Sequence, residues 1–376
     1  MTSFVSDLVE RAALAADTVL DRTVAPGFSA VGFGMRRMLP TWPSDVPSAA
    51  LRGRTAIVTG ASSGLGIETA AGLGRLGAQV HLVVRDTGKG ERVAQRLRAE
   101  LGADAGCTVW ACDISDLDSV RDLAARLGAA LPRIDVLVHN AGALPATRQD
   151  SAQGHELTMA LHLLGPMLMT DLLVPQLAAA RGTGPAGPGA RARRARVIFV
   201  TSGGMYTQRL HVDDPEYRDG DYSGAVAYAR SKRAQVELLP LLQQRWGPHG
   251  IDVHATHPGW ADTPGVSESL PVFRRVTAPF LRSVHAGADT TIWLAATQPT
   301  PAGGGLWHDR RRRPTHVLPG TATGEVELAA YWAWAANAAC LSELPTVPDL
   351  PARPDRPDRP DRPDRSGHPY HPGRAH

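Results

Sequence analysis

The chain has 376 residues, a hydrophobic fraction of 43% and a formal net charge of +3. That length and apolar content suit one large domain with appendages, or two ordinary domains, and exclude a disordered polyelectrolyte. So small a net charge gives no general attraction for nucleic acid or an anionic membrane, and three cysteines with no Cys-x-x-Cys pair argue against a disulfide framework or a Cys-based zinc site.

Residues 1–50 read as an extension. Phe4, Leu8, Ala12, Ala15 and Val19 recur at helical spacing, with Asp7, Glu10, Asp17 and Asp21 on the other face. The expectation is a helix packed on the main domain or on a partner subunit, whose acidity disfavours membrane docking. No basic-then-apolar block marks a secretory signal, and a reducing, cytoplasmic setting is expected. Pro26, Pro40, Pro43 and Pro47 make residues 25–50 an irregular linker.

From Leu51 onward short apolar runs alternate with helical patterns. Thr55–Thr59, Gln79–Val84, Thr108–Cys112, Asp135–His139, Val197–Thr201 and Ile251–Ala255 read as buried strands. Gly64–Leu76, Gly88–Leu101, Leu117–Leu127, Ala227–Trp246 and His285–Ala296 read as the helices between and after them. This alternation predicts an α/β fold: a single Rossmann-like, doubly wound parallel sheet with helices on both faces. The sheet domain is expected over residues 51–325 and a C-terminal helix over 326–345, with a disordered Pro/Asp/Arg-rich tail over 346–376. Leu161–Ala180 is too interrupted by Pro166, Asp171 and Pro175 to span a membrane. The segment Leu157–Leu177 is apolar on more than one side, as a dimer-forming helix is. Gly182–Arg196 reads as a surface loop, and the runs Arg191–Arg196 and Arg310–Arg313 as solvated basic loops without a nucleic-acid module.

In such sheets ligands sit beyond the carboxyl ends of the strands. There the first strand runs into Thr59-Gly60-Ala61-Ser62-Ser63-Gly64-Leu65-Gly66, a glycine-rich turn that opens a helix. Glycines allow close approach of backbone to a pyrophosphate, and the helix N-terminus supplies free N–H groups. Arg85 follows the second strand and favours NADP(H) through a 2′-phosphate. Asp86, next to it, leaves NAD(H) open as the alternative. Asp113-Ile114 ends the third strand, where a carboxylate meets an adenine amino group, and Asn140-Ala141-Gly142 ends the fourth, beside the adenosine ribose.

Tyr228-Ala229-Arg230-Ser231-Lys232 places tyrosine and lysine on one helix face. A phenol near pKa ~10 needs a neighbouring positive charge to act as acid or base near neutrality. Lysine occurs only at Lys89 and Lys232, every other basic residue being arginine, so Lys232 keeps a lysine where this chain otherwise uses arginine. Ser202, at the end of the fifth strand, is placed to hydrogen-bond a substrate carbonyl. The long stretch from Ser202 to Tyr228 reads as a lid over the pocket. His254, His257, His308 and His316 have no ligand-like spacing, so no metal site is assigned.

Together the nucleotide loop and the Tyr-x-x-x-Lys group resemble the short-chain dehydrogenase/reductase family over roughly residues 51–320, most of all its member 12 type. The likeness extends to Ser202-Gly203-Gly204-Met205, His257–Val266, Gly287–Thr290 and Trp307–Arg310. It implies a carbonyl/alcohol oxidoreductase with Tyr228 as general acid/base, Lys232 beside it and Ser202 on the carbonyl. Pro258, Gly259 and Thr263 would contact the nicotinamide, and the protein would be a homodimer or homotetramer. One departure stands out. His162 occupies the Asn-x-x-Gly setting whose asparagine holds a proton-relay water in the family. A second reading follows from that: an NAD(P)(H)-binding regulatory or scaffold protein with little turnover.

Overall fold

A computed structural model of the chain describes residues 2–102, 106–181, 193–263, 275 and 277–341. The loop expected over Gly182–Arg196 falls mostly outside them, as do the tail and residues 264–266 of the family-like stretch.

Three N-terminal helices come first: α1 (Thr2–Arg22), α2 (Val24–Phe28) and α3 (Ala30–Arg37). The sheet then begins with β1 (Thr55–Thr59), α4 (Gly64–Arg75), β2 (Gln79–Val84), α5 (Thr87–Leu101) and β3 (Cys107–Ala111). It continues with α6 (Leu117–Ala130), β4 (Val136–His139), α7 (Leu157–Met159), a π-helical turn at Ala160–Leu164, α8 (Gly165–Leu172) and α9 (Val174–Ala178). The last part holds β5 (Ala195–Val200), α10 (Gly224–Glu237), α11 (Leu239–Trp246), β6 (Ile251–Thr256), α12 (Val284–Ala296), β7 (Gly305–His308), β8 (Arg311–Arg313) and α13 (Glu325–Ala338).

The strands form one sheet in the order β3-β2-β1-β4-β5-β6-β7-β8. All pairs are parallel except β7 with β8. Every residue of β5 and β6 is buried, as central strands covered on both faces require. One core layer gathers Leu123, Leu164, Met167, Phe199 and Trp246; the other gathers Leu73, Leu82, Leu97, Val138 and Leu294.

Proline explains where long helical patterns divide. Pro240 stands at the start of α11 and splits the expected Ala227–Trp246 helix; Pro166 and Pro175 do the same within Leu157–Leu177. The apolar faces of that last segment are filled by the chain itself. Met159, Leu163, Leu164 and Met167 are buried, and Tyr331 of α13 donates from its hydroxyl to Met159 Sδ at 3.6 Å.

Three expectations change. Residues 24–37 are helical rather than an irregular linker. The Ser29 side chain caps α3 by accepting the Gly32 amide at 3.3 Å. On α1 the inward positions are Ala13, Asp17 and Leu20, whereas Ala12, Ala15 and Val19 are exposed. Asp17 is drawn inward because it accepts bonds from Arg36 Nε (2.8 Å) and from both terminal nitrogens of Arg313 (2.8 and 2.9 Å). Nor is Arg310–Arg313 a solvated loop. Arg310 and Arg313 are each only 8% exposed, and Arg310 pairs with Asp289 and Asp45.

Candidate active site

Because β1 to β6 run parallel, all their carboxyl ends lie along one edge of the sheet. β2 and β3 extend from one side of β1, and β4 returns to pair on the other. The crevice at that reversal is where an open α/β sheet accepts a ligand.

Gly60 and Gly66 shape the crevice. Gly60 has a φ of +65°, and a Cβ on it would stand 2.7 Å from Ala141 Cα. A Cβ on Gly66 would meet the Gly60 carbonyl oxygen at 2.3 Å. The Thr59 hydroxyl accepts the amides of Asn140 and Ala141, both at 3.0 Å, and Asn140 Nδ2 donates to the Thr59 carbonyl at 3.0 Å. Thr59 and Asn140 therefore lock the ends of β1 and β4 together. Ser62, Ser63, Gly64 and Leu65 turn into α4, and Ser63 provides no side-chain cap. A cradle that excludes side chains and ends on an uncapped helix N-terminus fits a dinucleotide pyrophosphate.

The flanking residues differ in how free they are. Asp86 Oδ1 accepts the Lys89 amide at 2.9 Å as the cap of α5, which commits that oxygen to the helix. Arg85 is exposed, and no ion pair forms on it among the described residues. Asp113 Oδ1 accepts from the amide (2.9 Å) and hydroxyl (2.6 Å) of Ser115. Ile114 is buried, and its carbonyl lies 1.9 Å from where a Gly165 Cβ would be, so α8 seats only against glycine. A Cβ on Gly142 would likewise stand 3.1 Å from His162 Nε2.

Ser202, Tyr228 and Lys232 meet at the end of β5. The Ser202 side chain lies beside the Tyr228 phenol, and Ser202 Oγ accepts the Gly204 amide at 3.4 Å. Removal from water holds the Tyr228 phenol above its usual value, the neighbouring Ser202 hydroxyl opposing that in part. Lys232 is 2% exposed; its Nζ donates to the Val200 carbonyl at 2.8 Å and stands 5.5 Å from the Tyr228 ring centroid. Burial lowers its pKa to about 7. The Thr201 hydroxyl donates to the Lys232 carbonyl at 3.0 Å, tying α10 to β5.

His162 sits under this group, fully buried. Its Nε2 accepts the Ala143 amide at 3.2 Å, which places the ring proton on Nδ1, 2.7 Å from Ser231 Oγ. Ser231 Oγ in turn donates to the Tyr228 carbonyl at 2.8 Å. Burial and the nearby Lys232 charge hold His162 well below the usual imidazole range. Both ring nitrogens are used within the protein. Ser231 and Gln235, whose Nε2 donates to the His162 carbonyl at 2.6 Å, complete this support. Neither was singled out from the sequence, although both lie on the Tyr228–Lys232 helix.

Pro258, Gly259 and Thr263 follow β6 at the same edge, and Gly259 has a φ of +75°. The stretch from Ser202 to Tyr228 is anchored rather than free. Met205 and Tyr206 are buried, Tyr206 donates to the Pro314 carbonyl at 2.9 Å, and Tyr222 donates to Glu156 at 2.8 Å.

A parallel sheet with a glycine cradle at its reversal point and a Ser–Tyr–Lys group at the next strand end defines a dinucleotide-dependent α/β oxidoreductase class. The family model for short chain dehydrogenase matches residues 54–212. Dehydrogenase/reductase SDR family member 12 of Bos taurus is 34% identical over 70% of this chain and 79% of its own length. A Streptomyces sp. (strain C5) protein, "Putative daunorubicin C-13 ketoreductase DnrU", is 33% identical over 81% of this chain and 98% of its own. Among solved structures, the Pseudomonas aeruginosa RhlG/NADP active-site complex is similar with a TM-score of 0.55 at 26% identity, covering 70% of this chain and 96% of that one. The chain belongs to the short-chain dehydrogenase/reductase family and is an oxidoreductase of that family.

Proposed function

We propose that the protein interconverts a carbonyl and an alcohol with NADP(H) as the preferred cofactor and NAD(H) as the weaker one. The observation that carries this reading is the convergence of Ser202, Tyr228 and Lys232 at the end of β5, next to the glycine cradle. Free Arg85 beside a committed Asp86 supports the cofactor preference.

When bound, the reduced nicotinamide supplies a hydride to the carbonyl carbon. The Tyr228 hydroxyl gives its proton to the developing alkoxide, and the Ser202 hydroxyl donates to the same oxygen. A phenol held above its usual value stays protonated near neutrality, which is the state that carbonyl reduction uses. Lys232, fastened to Val200, presents its Nζ from below the Tyr228 ring, within the helix turn that a nicotinamide ribose would face. Pro258, Gly259 and Thr263 would hold the carboxamide.

The test is a titration with NADPH and NADH followed by nicotinamide fluorescence, then turnover of a carbonyl panel by the protein and by Tyr228→Phe. Loss of turnover by roughly 10²- to 10⁴-fold with cofactor binding kept is expected. Full turnover in the variant overturns the assignment.

The saturated His162 favours one second reading: a cofactor-binding protein with little turnover, since neither ring nitrogen remains to hold a relay water. Assembly as a homodimer or homotetramer rests on the family resemblance alone, because α13 and neighbouring helices fill the 157–177 segment; light scattering reads it out. No described helix is long and apolar enough to cross a membrane. A cytoplasmic setting is the reading that three free cysteines support.

A further inference from the structure

We infer that the segment Gly27–Ser29 of the N-terminal extension is part of the active site's frame, with Phe28 as a positioning residue for the turn that would hold the nicotinamide. The inference rests on the functional reading above and adds a residue far outside the family-like region.

Phe28 is 3% exposed, although it lies before the sheet domain begins. Its ring stands edge-on to His257, with centroids 4.3 Å apart, and packs on His308, Tyr206 and Trp260. A Cβ on Gly203, the residue after Ser202, would lie 3.1 Å from Phe28 Cε2 and 2.8 Å from His257 Nε2. One aromatic ring therefore touches both the turn after β5 that carries Ser202 and the turn after β6 that carries Pro258 and Gly259.

The backbone of the same residue reinforces the contact. The Phe28 carbonyl accepts the Trp260 amide at 2.8 Å and Arg282 Nε at 2.9 Å. Arg282 Nη2 donates to the Gly27 carbonyl at 2.9 Å, and its Nη1 donates to Asp309 at 2.6 Å. Arg36, 1% exposed, binds the Gly27 carbonyl at 2.8 Å and the other oxygen of Asp309 at 2.7 Å. Gly259 itself is pressed against this bridge: a Cβ there would stand 2.4 Å from Arg282 Nε. The Gly259 amide donates to His257 Nδ1 at 3.1 Å, so the ring that Phe28 buttresses also holds the turn.

Phe28, Arg36, Arg282 and Asp309 are all buried, and these hydrogen bonds tie them to one another and to Gly27, which makes the bridge stiff. It stands behind the turns and offers no atom to a substrate. Its effect is therefore on the separation between the Ser202 hydroxyl and the nicotinamide turn, a distance to which hydride transfer is sensitive.

The experiment uses the full chain as wild type, Phe28→Ala and Leu20→Ala. Leu20 is buried in the extension at 8% exposure, so its truncation removes packing from α1 while keeping the Phe28 side chain. Hydrogen exchange is read at the Gly259 and Trp260 amides against those of Asn140 and Ala141, which Thr59 holds. Affinity for adenosine 2′,5′-bisphosphate, affinity for NADPH and turnover are measured alongside. In Phe28→Ala, Gly259 and Trp260 are expected to exchange at least tenfold faster while Asn140 and Ala141 are unchanged. Turnover should fall on the order of 10- to 100-fold with affinity for the bisphosphate unaltered. The inference is overturned if Gly259 and Trp260 exchange at the wild-type rate, or if Leu20→Ala produces the same losses. A wild-type protein that binds no cofactor or turns over no carbonyl sinks the functional reading instead, and the exchange data still decide whether Phe28 positions the turn.

Discussion

The Ala143 amide donates to His162 Nε2 at 3.2 Å, which fixes the imidazole as the neutral Nδ1–H tautomer. With Nδ1 given to Ser231, both ring nitrogens are held within the protein beneath Tyr228.

His162→Asn follows from that finding. The shorter side chain opens room for a water beside Lys232. Turnover is expected to rise about tenfold, worth about 1.4 kcal/mol of barrier, with NADPH affinity unchanged. Steady-state kinetics on a confirmed carbonyl substrate check it. No turnover in either form favours the binding-only reading.

Lys232→Met should cost turnover yet stabilise the fold. Burial lowers the lysine from the ordinary 10.5 to about 7 in the folded protein. Between those values the unfolded chain binds the proton and the folded chain does not, so wild-type stability rises with pH across that window and its deficit is full below it. The methionine variant gains most near pH 6.5. Its advantage should be roughly 2 to 3 kcal/mol larger there than at pH 9, as seen by urea unfolding at both values.

Arg85→Ala is expected to weaken NADPH binding about tenfold and leave NADH binding within a factor of two, because only the 2′-phosphate carries the extra charge. Asp86→Ala should instead cost about 1 kcal/mol of stability through the lost cap on α5. Fluorescence titration and thermal unfolding separate the two effects. A drop in NADH affinity for Asp86→Ala assigns ribose recognition to that carboxylate.

His254 supplies a stability prediction away from the site. It is fully buried, and neither ring nitrogen has a partner among the described residues. Burial lowers its pKa to about 3, and His139 and His308 are lowered to the same value. Unfolding binds protons that these rings refuse, so stability falls as pH drops below about 6.5, by up to about 1.4 kcal/mol per pH unit for each ring. His254→Leu should raise stability by about 1 kcal/mol at pH 7 and make the fall between pH 6.5 and 5 shallower. An unchanged slope indicates that His254 titrates normally.

The strands β1, β2 and β6 were legible because Val, Ile and Ala runs end at glycine, arginine or proline punctuation. β7 and β8 were not. Arg311–Arg313 has no apolar alternation, and its arginines are strand residues only because Asp17, Asp21 and Thr41 meet them. The same holds for α1. Hydrophobic spacing selected Ala12, Ala15 and Val19, but a buried ion pair turned Asp17 inward instead. Periodicity counts apolar residues and has no term for a carboxylate desolvated against two arginines. Phe28 was invisible for a related reason: nothing in a Pro-Gly-Phe-Ser run says which distant turn will cover it.

By itself the sequence determined the parallel strands β1 to β6 and the family, and it singled out Ser202, Tyr228 and Lys232 as candidates, because those follow from local spacing: a strand's apolar run, a glycine turn, and four residues along one helix. Only the tertiary structure decided the state of the groups. It placed Lys232 out of water, spent both nitrogens of His162 on Ala143 and Ser231, and set Phe28 between the turns after β5 and β6. Burial and pairing depend on which segments far apart in the chain come within a few ångströms, and protonation follows burial.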